Sequence, residues 1–466
     1  MSSHAVLYPL QYFPDSSVIF APFASNEWAV FLDSGHPRST QGRYDIISAN
    51  PICTLVTRGE NTTISSQYNV IVSNENPFDL LKGELAHYSK MFESVDFDLP
   101  FNGGALGYFS YDLARRLENL PNLAEDAEAI PEMAVGIYDW AIIVDHQMKK
   151  SFLICYGSAK LDEFKTHTAI RFDENTEKNA VNKIMAENKF KLTSEINTNF
   201  SQNGYKQAFQ KIKHYLKEGD CYQVNLTQRF SATCEGDTWE VYQSLREINA
   251  APFSAYLNFP DAKILSSSPE RFLKLTGQHV ETKPIKGTRP RKSDITENAA
   301  QIFDLKNSPK DRAENVMIVD LLRNDISKVC KKVRVPKLFE IESYSTVHHL
   351  VSTVIGELTE DQHALDLLHH CFPGGSITGA PKIRAMQIIE ELEPNRRGVY
   401  CGAIGYIGFN GNMDTNIAIR TLVHSQNSIR FWAGGGIVND SVVEDEYQES
   451  FDKAAAMLQV LKQFAA

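Results

Sequence analysis

The stretch ETKPIKGTRPR, residues 281–291, sets Lys286 between apolar Ile285 and a glycine, in a segment opened by Pro284 and closed by Pro290. A free lysine amine has a pKa near ~10.4 and stays protonated. Burial among apolar neighbours, with another cation nearby, lowers that value and exposes a lone pair for nucleophilic attack. The plainer alternative is a lysine that pairs with a carboxylate. A second chemistry is offered by two carboxylate pairs, Asp311 with Glu314 and Glu446 with Glu449. Each pair is spaced three residues apart on an expected helix and so shares one face. Two such faces meeting would call for a hard cation such as Mg2+; apart, they are solvated helix surfaces.

Anion binding has three candidates. FPGGSITGAPKIRAM, residues 372–386, combines glycines, Ser376, Thr378, a proline-led helix start and Lys382. Such a loop can cradle a carboxylate with amides, hydroxyls and a cation, although the P-loop spacing is absent. WAGGGIV, residues 432–438, supplies the unhindered amides of Gly434, Gly435 and Gly436 without the context of a dinucleotide fingerprint. Arg420, inside the apolar NIAIRTLV, can present a bidentate fork or simply face solvent. His348 and His349 are adjacent, point to opposite faces of a strand, and make poor zinc ligands.

These residues must be held by elements that the hydrophobic pattern outlines. Residues 1–156 alternate short β-rich runs with turns and read as an antiparallel sheet with few helices. Residues 157–204 are polar and charged, a connecting segment with one expected helix over 176–188. In residues 205–466, Tyr205, Phe209, Ile212 and Leu216 recur at helical spacing ahead of Gly219, which suits a left-handed cap. A strand follows over 221–230. Further helices are expected over 310–328, over 380–393 and at the C-terminus over 444–464, with strands over 402–409, 415–425 and 428–438 between them. The order is mixed rather than a regular β-α-β alternation, which makes the class α+β with large antiparallel sheets.

The whole chain has 466 residues, 47 of them Lys or Arg against 58 Asp or Glu, for a formal net charge of −11. That balance disfavours nonspecific attraction to nucleic acid or to an anionic membrane. The seven cysteines form no Cys-x-x-Cys pair and read as reduced thiols, which favours the cytoplasm. The apolar runs are too short to span a bilayer.

Taken together, GGALGYFSYD, GDCYQVNLTQRF, SSSPERFL, PIKGTRPR, DRAENVMIVDLLRNDI, TVHHLVSTV, PGGSITGAPK, GAIGYIGF and AGGGIVNDSVVEDEYQES resemble, in order and over nearly the whole chain, the chorismate-utilising enzymes. The anthranilate-forming branch of that family carries Pro-Ile-Ala-Gly-Thr where this chain has Pro-Ile-Lys-Gly-Thr. The resemblance is therefore to the branch that makes 4-amino-4-deoxychorismate for 4-aminobenzoate and folate synthesis. It implies two large antiparallel sheets packed face to face, helices outside and the site between them.

The resemblance also implies roles. Glu314 and Glu449 match direct Mg2+ ligands, with Glu446 and Asp311 as indirect partners; Asp311 stands where relatives have Glu. His349, Ser376, Tyr406, Arg420 and the amides of Gly434, Gly435 and Gly436 match chorismate contacts, joined by Thr378 in the same loop, and Lys382 matches a substrate-side lysine. Glu270 matches the acid that protonates the departing hydroxyl, and Lys286 a nucleophile that forms a covalent intermediate. Gln223 stands where water-using relatives place a lysine and cannot act as that base, which leaves ammonia as the nucleophile.

No glutaminase signature is present, so the resemblance implies that ammonia comes from a separate glutamine amidotransferase subunit. It also implies that Ser34, Tyr44, Pro252, Phe253 and Ser254 enclose a tryptophan; the other reading of these residues is a filled apolar core. Two alternatives stand beside the main one. The first is anthranilate synthase component I, and the second is a non-catalytic regulatory subunit that binds an aromatic ligand.

Overall fold

The structure is a computed structural model that describes residues 3–39, 42–93, 97–167, 189–344 and 347–465. The helix expected over 176–188 lies outside the described residues. Strands dominate because β-branched and aromatic residues alternate between two buried surfaces. In the strand Ala29–Asp33, Val30 faces one apolar cluster while its neighbours Ala29 and Phe31 face another.

Among the described residues one sheet has 14 strands and the other 12. Their ladders are antiparallel apart from a short parallel contact between Ser3–Leu10 and Phe92–Glu93. The inner faces meet in a core that includes Val30, Leu257 and Val423 from one sheet and Leu55, Leu106, Ile137 and Ile404 from the other. The outer face of the larger sheet packs under helices, with Trp239 and Tyr242 of Thr238–Ile248 and Met457 and Leu461 of Val443–Lys462. The expected α+β class, two antiparallel sheets face to face with helices outside, is what the chain adopts.

Each sheet draws strands from both sides of the polar 157–204 segment. Phe253–Asn258 pairs with Ala29–Asp33, and Ala403–Gly408 pairs with Gly104–Phe109. The chain also passes directly from one sheet to the other: between Ser48 and Cys53, between Tyr138 and Trp140, between Ser268 and Arg271, and between Asn416 and Thr421. The last two passages decide the site, because Glu270 lies in one and Arg420 in the other.

The single strand expected over 415–425 is therefore corrected. It is two strands, Met413–Asn416 in the smaller sheet and Thr421–Ser425 in the larger, separated by a crossing that ends at Arg420 with φ 51°. Burial in both sheets keeps the run apolar across the break, so its pattern looks like one ladder.

The helices start and stop on local chemistry. Gln202–Glu218 begins at Ser201, whose hydroxyl accepts from Gly204 N, and ends at Gly219 in the left-handed conformation, as its sequence predicts. Pro309–Ser327 begins with Pro309 after Ser308, which accepts from Asp311 N. The first half carries one substantial helix that its β-rich pattern hid, Pro77–Met91, capped by Asn76. All seven cysteines are free and buried. No helix among the described residues is long and apolar enough to cross a membrane.

Candidate active site

Lys286 lies on Ile285–Pro290, an edge strand of the smaller sheet, where Pro290 removes no ladder donor that the sheet needs. Its pairing with Val347–Leu358 slips between Lys286 opposite Leu350 and Thr288 opposite His349. The slip is a bulge at Gly287, whose φ is 77°. A Cβ there would come within 2.8 Å of Asp311 Cγ and Leu305 Cδ1. The glycine thus lets the neighbouring helices close on the strand while the bulge re-aims the lysine. Lys286 Nζ donates to the Ser376 carbonyl at 3.0 Å. Burial pushes the Lys286 ammonium below its ordinary value, against the opposing charges of Glu314 and Glu270.

Glu270 follows Pro269 at the passage between sheets and is 5 % exposed. Its backbone is held by Ser268 Oγ, which accepts from Glu270 N at 3.2 Å, and by Ile417 N, which donates to its carbonyl at 3.0 Å. Burial raises the Glu270 carboxyl above the ordinary range, opposed by Lys286 and by hydrogen bonds from the Ser376 hydroxyl and the Ile285 amide. A carboxyl held up in this way is suited to carrying a proton. Arg420 has no hydrogen-bonded side-chain partner among the described residues. Its burial lowers its own pKa, opposed by Glu270, and its charge adds to the burial that pushes His349 down to about 3. His349 is neutral and hydrogen-bonds Thr288 Oγ1 through Nδ1 at 2.9 Å. A partly buried guanidinium with no salt-bridged carboxylate among the described residues invites an anion.

Glu446 and Glu449 of one acidic pair and Glu314 of the other meet across the same space. Glu446 is 2 % exposed and accepts from Ser441 Oγ at 2.6 Å. Glu449, one helical turn on, is 2.6 Å from Lys453 Nζ. Both carboxylates lie over Gly435, where a Cβ would come within 2.9 Å of Glu449 Oε1 and 3.1 Å of Glu446 Oε2. The missing side chain is what leaves them room. From the facing helix Glu314 approaches Lys286, Lys310 and Glu446, and burial raises its carboxyl. Burial likewise raises Glu446, whereas in Glu449 the effect of burial is outweighed by Lys453, which holds the carboxyl below its ordinary value. Hard carboxylate oxygens from two helices, cradled by a glycine, form a donor set that fits Mg2+. As placed they are countered by lysines, and no three acidic, histidine or cysteine side chains among the described residues converge into a finished ligand cage.

The triple glycine belongs to Ser428–Ile437, whose ladder with Thr421–Ser425 stops at Arg430 opposite Val423. On its other edge Gly434, Gly435 and Gly436 pair with Thr227, Leu226 and Asn225. Gln223 at the end of that neighbour is fully buried; its Nε2 donates to Asn225 Oδ1 at 3.2 Å, while its Oε1 has no hydrogen-bond partner.

Four candidates are placed differently. Asp311 is held by Arg289 at 3.1 Å. Thr378 turns its hydroxyl to the carbonyls of Gly374 and Gly375 at 3.2 and 3.3 Å. Lys382 forms a 2.6 Å ion pair with Asp325 and donates to the Cys371 carbonyl at 2.9 Å. Tyr406 is near Asp414, Arg271 and Tyr44 and lines a second cavity between the sheets. That cavity, about 880 Å³, is also lined by Tyr44, Pro252, Phe253 and Ser254. Ser34, beside its wall residue Asp33, is buried with a hydroxyl that lacks a hydrogen-bond partner. The sequence reading passed over Lys310 and Lys453, although Lys310 precedes Glu314 by four residues and Lys453 follows Glu449 by four, the spacing of helix-surface ion pairs.

Residues 29–459 match the family described as chorismate binding enzyme. The chain belongs to that family. Among chorismate-binding enzymes it is similar to aminodeoxychorismate synthase component 1 of Klebsiella aerogenes, 48 % identical over 96 % of this chain and 97 % of that protein. It is 46 % identical to the Escherichia coli (strain K12) protein of the same name, over 95 % of each chain. Anthranilate synthase component 1 of Acetivibrio thermocellus is 38 % identical over 96 % of this chain and 92 % of that one. The crystal structure of anthranilate synthase component I from Streptococcus pneumoniae TIGR4 superimposes with a TM-score of 0.74 at 31 % identity, covering 90 % of this chain and 93 % of that one. For a chorismate-binding enzyme, the space between Arg420, Glu270, Lys286 and the acidic pairs is the candidate active site.

Proposed function

We propose that this chorismate-binding enzyme replaces the hydroxyl at ring carbon 4 of chorismate with ammonia, giving 4-amino-4-deoxychorismate. The observation that carries the reading is the placement of Lys286. Its amine, lowered by burial, stands next to Glu270, whose carboxyl burial raises above the ordinary range, at the position where the anthranilate-forming branch carries alanine. The similarity to relatives named aminodeoxychorismate synthase component 1 supports the same branch.

Chorismate is a dicarboxylate. Arg420, a partly buried cation with no salt-bridged carboxylate among the described residues, takes one carboxylate, and His349, neutral at physiological pH, accompanies it without competing for charge. Glu314, Glu446 and Glu449 would hold Mg2+, which supplies positive charge against the second carboxylate. Lys286 attacks ring carbon 2 as a neutral amine. The C2–N bond forms, both ring double bonds shift, and the C4–O bond breaks as the hydroxyl takes the Glu270 proton and leaves as water. Ammonia then attacks carbon 4, both double bonds shift back, and the C2–N bond breaks to return neutral Lys286. The extra proton on the new amino group goes to the Glu270 carboxylate, which completes the cycle. General acid assistance of this kind contributes ~10²- to 10⁴-fold. Thr378 and Lys382 act by holding the 372–386 loop, whose Ser376 carbonyl positions the Lys286 amine.

Ammonia is delivered by a separate glutamine amidotransferase subunit, and the cavity beside Ser34, Tyr44, Pro252, Phe253 and Ser254 holds tryptophan. Incubating the protein with chorismate, Mg2+ and ammonium, then separating products against 4-amino-4-deoxychorismate, anthranilate and isochorismate standards, tests the reaction. The first is expected; anthranilate as main product would overturn the assignment. Lys286→Ala is expected to abolish amination, and intact-protein mass spectrometry of quenched enzyme to show a chorismate-derived adduct on Lys286. A fully active Lys286→Ala variant with no adduct in the parent would exclude the covalent route.

A further inference from the structure

We infer that Lys310 and Lys453 are internal counter-cations that make the divalent cation and the dicarboxylate substrate bind interdependently. This rests on the metal reading above and adds a role for two lysines outside it. Lys453 Nζ lies 2.6 Å from Glu449 Oε1 and donates to the Gly434 carbonyl at 3.0 Å, and Lys310 Nζ lies 3.5 Å from Glu446 Oε1. The third carboxylate, Glu314, faces Lys286 and Lys310. With Lys286 as the neutral amine of the proposed reaction, Arg420, Lys310 and Lys453 are three cations that already oppose three carboxylates. A cation of charge +2 arriving alone enters a balanced cluster and must displace or repel the two ammoniums. A dianion arriving alone leaves an excess of negative charge. Arriving together they cancel. Each ligand then raises the affinity of the other by the same factor, as linkage requires.

Two features suit the lysines to this role. Their side chains are 52 % and 48 % exposed, so each can swing its ammonium into water on a flexible stem rather than leave a buried charge unpaired. Among the described residues Lys453 holds Glu449 and, beyond it, a backbone carbonyl. The competing account is that these are ordinary surface ion pairs, which contribute little to anything. It predicts no effect of their removal on metal affinity.

Calorimetric titration of the intact protein with Mg2+, without and with chorismate and with ammonium omitted, separates the two. For the parent protein Mg2+ should bind weakly alone and roughly tenfold or more tightly with chorismate present. In Lys310→Met and Lys453→Met, Mg2+ alone should bind roughly tenfold tighter than to the parent, and the gain from chorismate should shrink to match. The charge-preserving Lys310→Arg and Lys453→Arg should behave as the parent does. Equal Mg2+ affinity in parent and Met variants, with an undiminished chorismate effect, would overturn the inference. Glu449→Gln serves as the control for the metal reading. If it weakens Mg2+ binding while the lysine variants change nothing, only the lysine role fails. If it leaves Mg2+ binding untouched, the metal lies elsewhere and both fail.

Discussion

In the proposed reaction Glu270 works through one proton, so the conservative change that removes only the proton is the informative one. Glu270→Gln retains hydrogen-bonding atoms for Ser376 and Ile285 but cannot protonate a leaving hydroxyl. We expect kcat for amination to fall by about 10²- to 10⁴-fold, with KM for chorismate changed far less; single-turnover quench measurements would show it, and an unchanged rate would remove Glu270 as the acid. Gly435 gives the second prediction. A methyl group there would stand 2.9 Å from Glu449 Oε1, so Gly435→Ala must move that carboxylate. Mg2+ affinity measured by titration should drop by ~10-fold or more with the melting temperature little altered. The triple glycine is a local pattern in the sequence, whereas Glu270 is singled out only by the resemblance of SSSPERFL to the family's motif. The lysines beside the acidic pairs were legible only as spacing, since nothing in a linear chain says that the Glu314 helix and the Glu446 helix face each other.

At the level of strands, the histidines respond to pH. Burial lowers His349 to about 3 and His424 to about 4, from an ordinary 6.5. A depressed folded-state value means that the unfolded chain takes up protons that the folded chain refuses. The contribution of these groups is complete above about 6.5 and is lost as pH falls from there toward 4. Urea denaturation should give a lower midpoint at pH 4.5 than at pH 7.5, and His424→Gln should reduce the difference; a midpoint independent of pH over that range would contradict it. The same strands show where pattern reading stops. His348 and His349 were expected on opposite faces of one strand, and they hydrogen-bond different partners, Ser343 and Asn298 for the first and Thr288 for the second. The run around Arg420 was expected as one strand and is two, because a chain that leaves one buried sheet for another never exposes a polar face to mark the change.

For the whole molecule, the second cavity is where the two halves of the chain meet: Tyr44 comes from the first half, Phe253 and Tyr406 from the second. A ligand that fits it stabilises the assembled sheets by mass action, about 2.7 kcal/mol at a hundredfold excess over Kd. Tryptophan is therefore expected to raise the melting temperature, less so in Ser34→Ala, whose hydroxyl has no other hydrogen-bond partner. A melting curve indifferent to tryptophan, with none released on denaturation, would argue for a cavity without that ligand. The sequence alone determined the helix from Ser201 to Gly219 with both its caps, the α+β class, the acidic pairs and the lysine that sets one branch of the family apart. Each of these follows from neighbours within a turn or a strand, or from motifs in order. Only the tertiary structure decided that Glu270 and Arg420 sit at passages between sheets, that Asp311 and Lys382 are engaged by Arg289 and Asp325, and that Lys310 and Lys453 reach the carboxylates. Those are meetings of residues far apart in the chain, set by how two sheets share their strands.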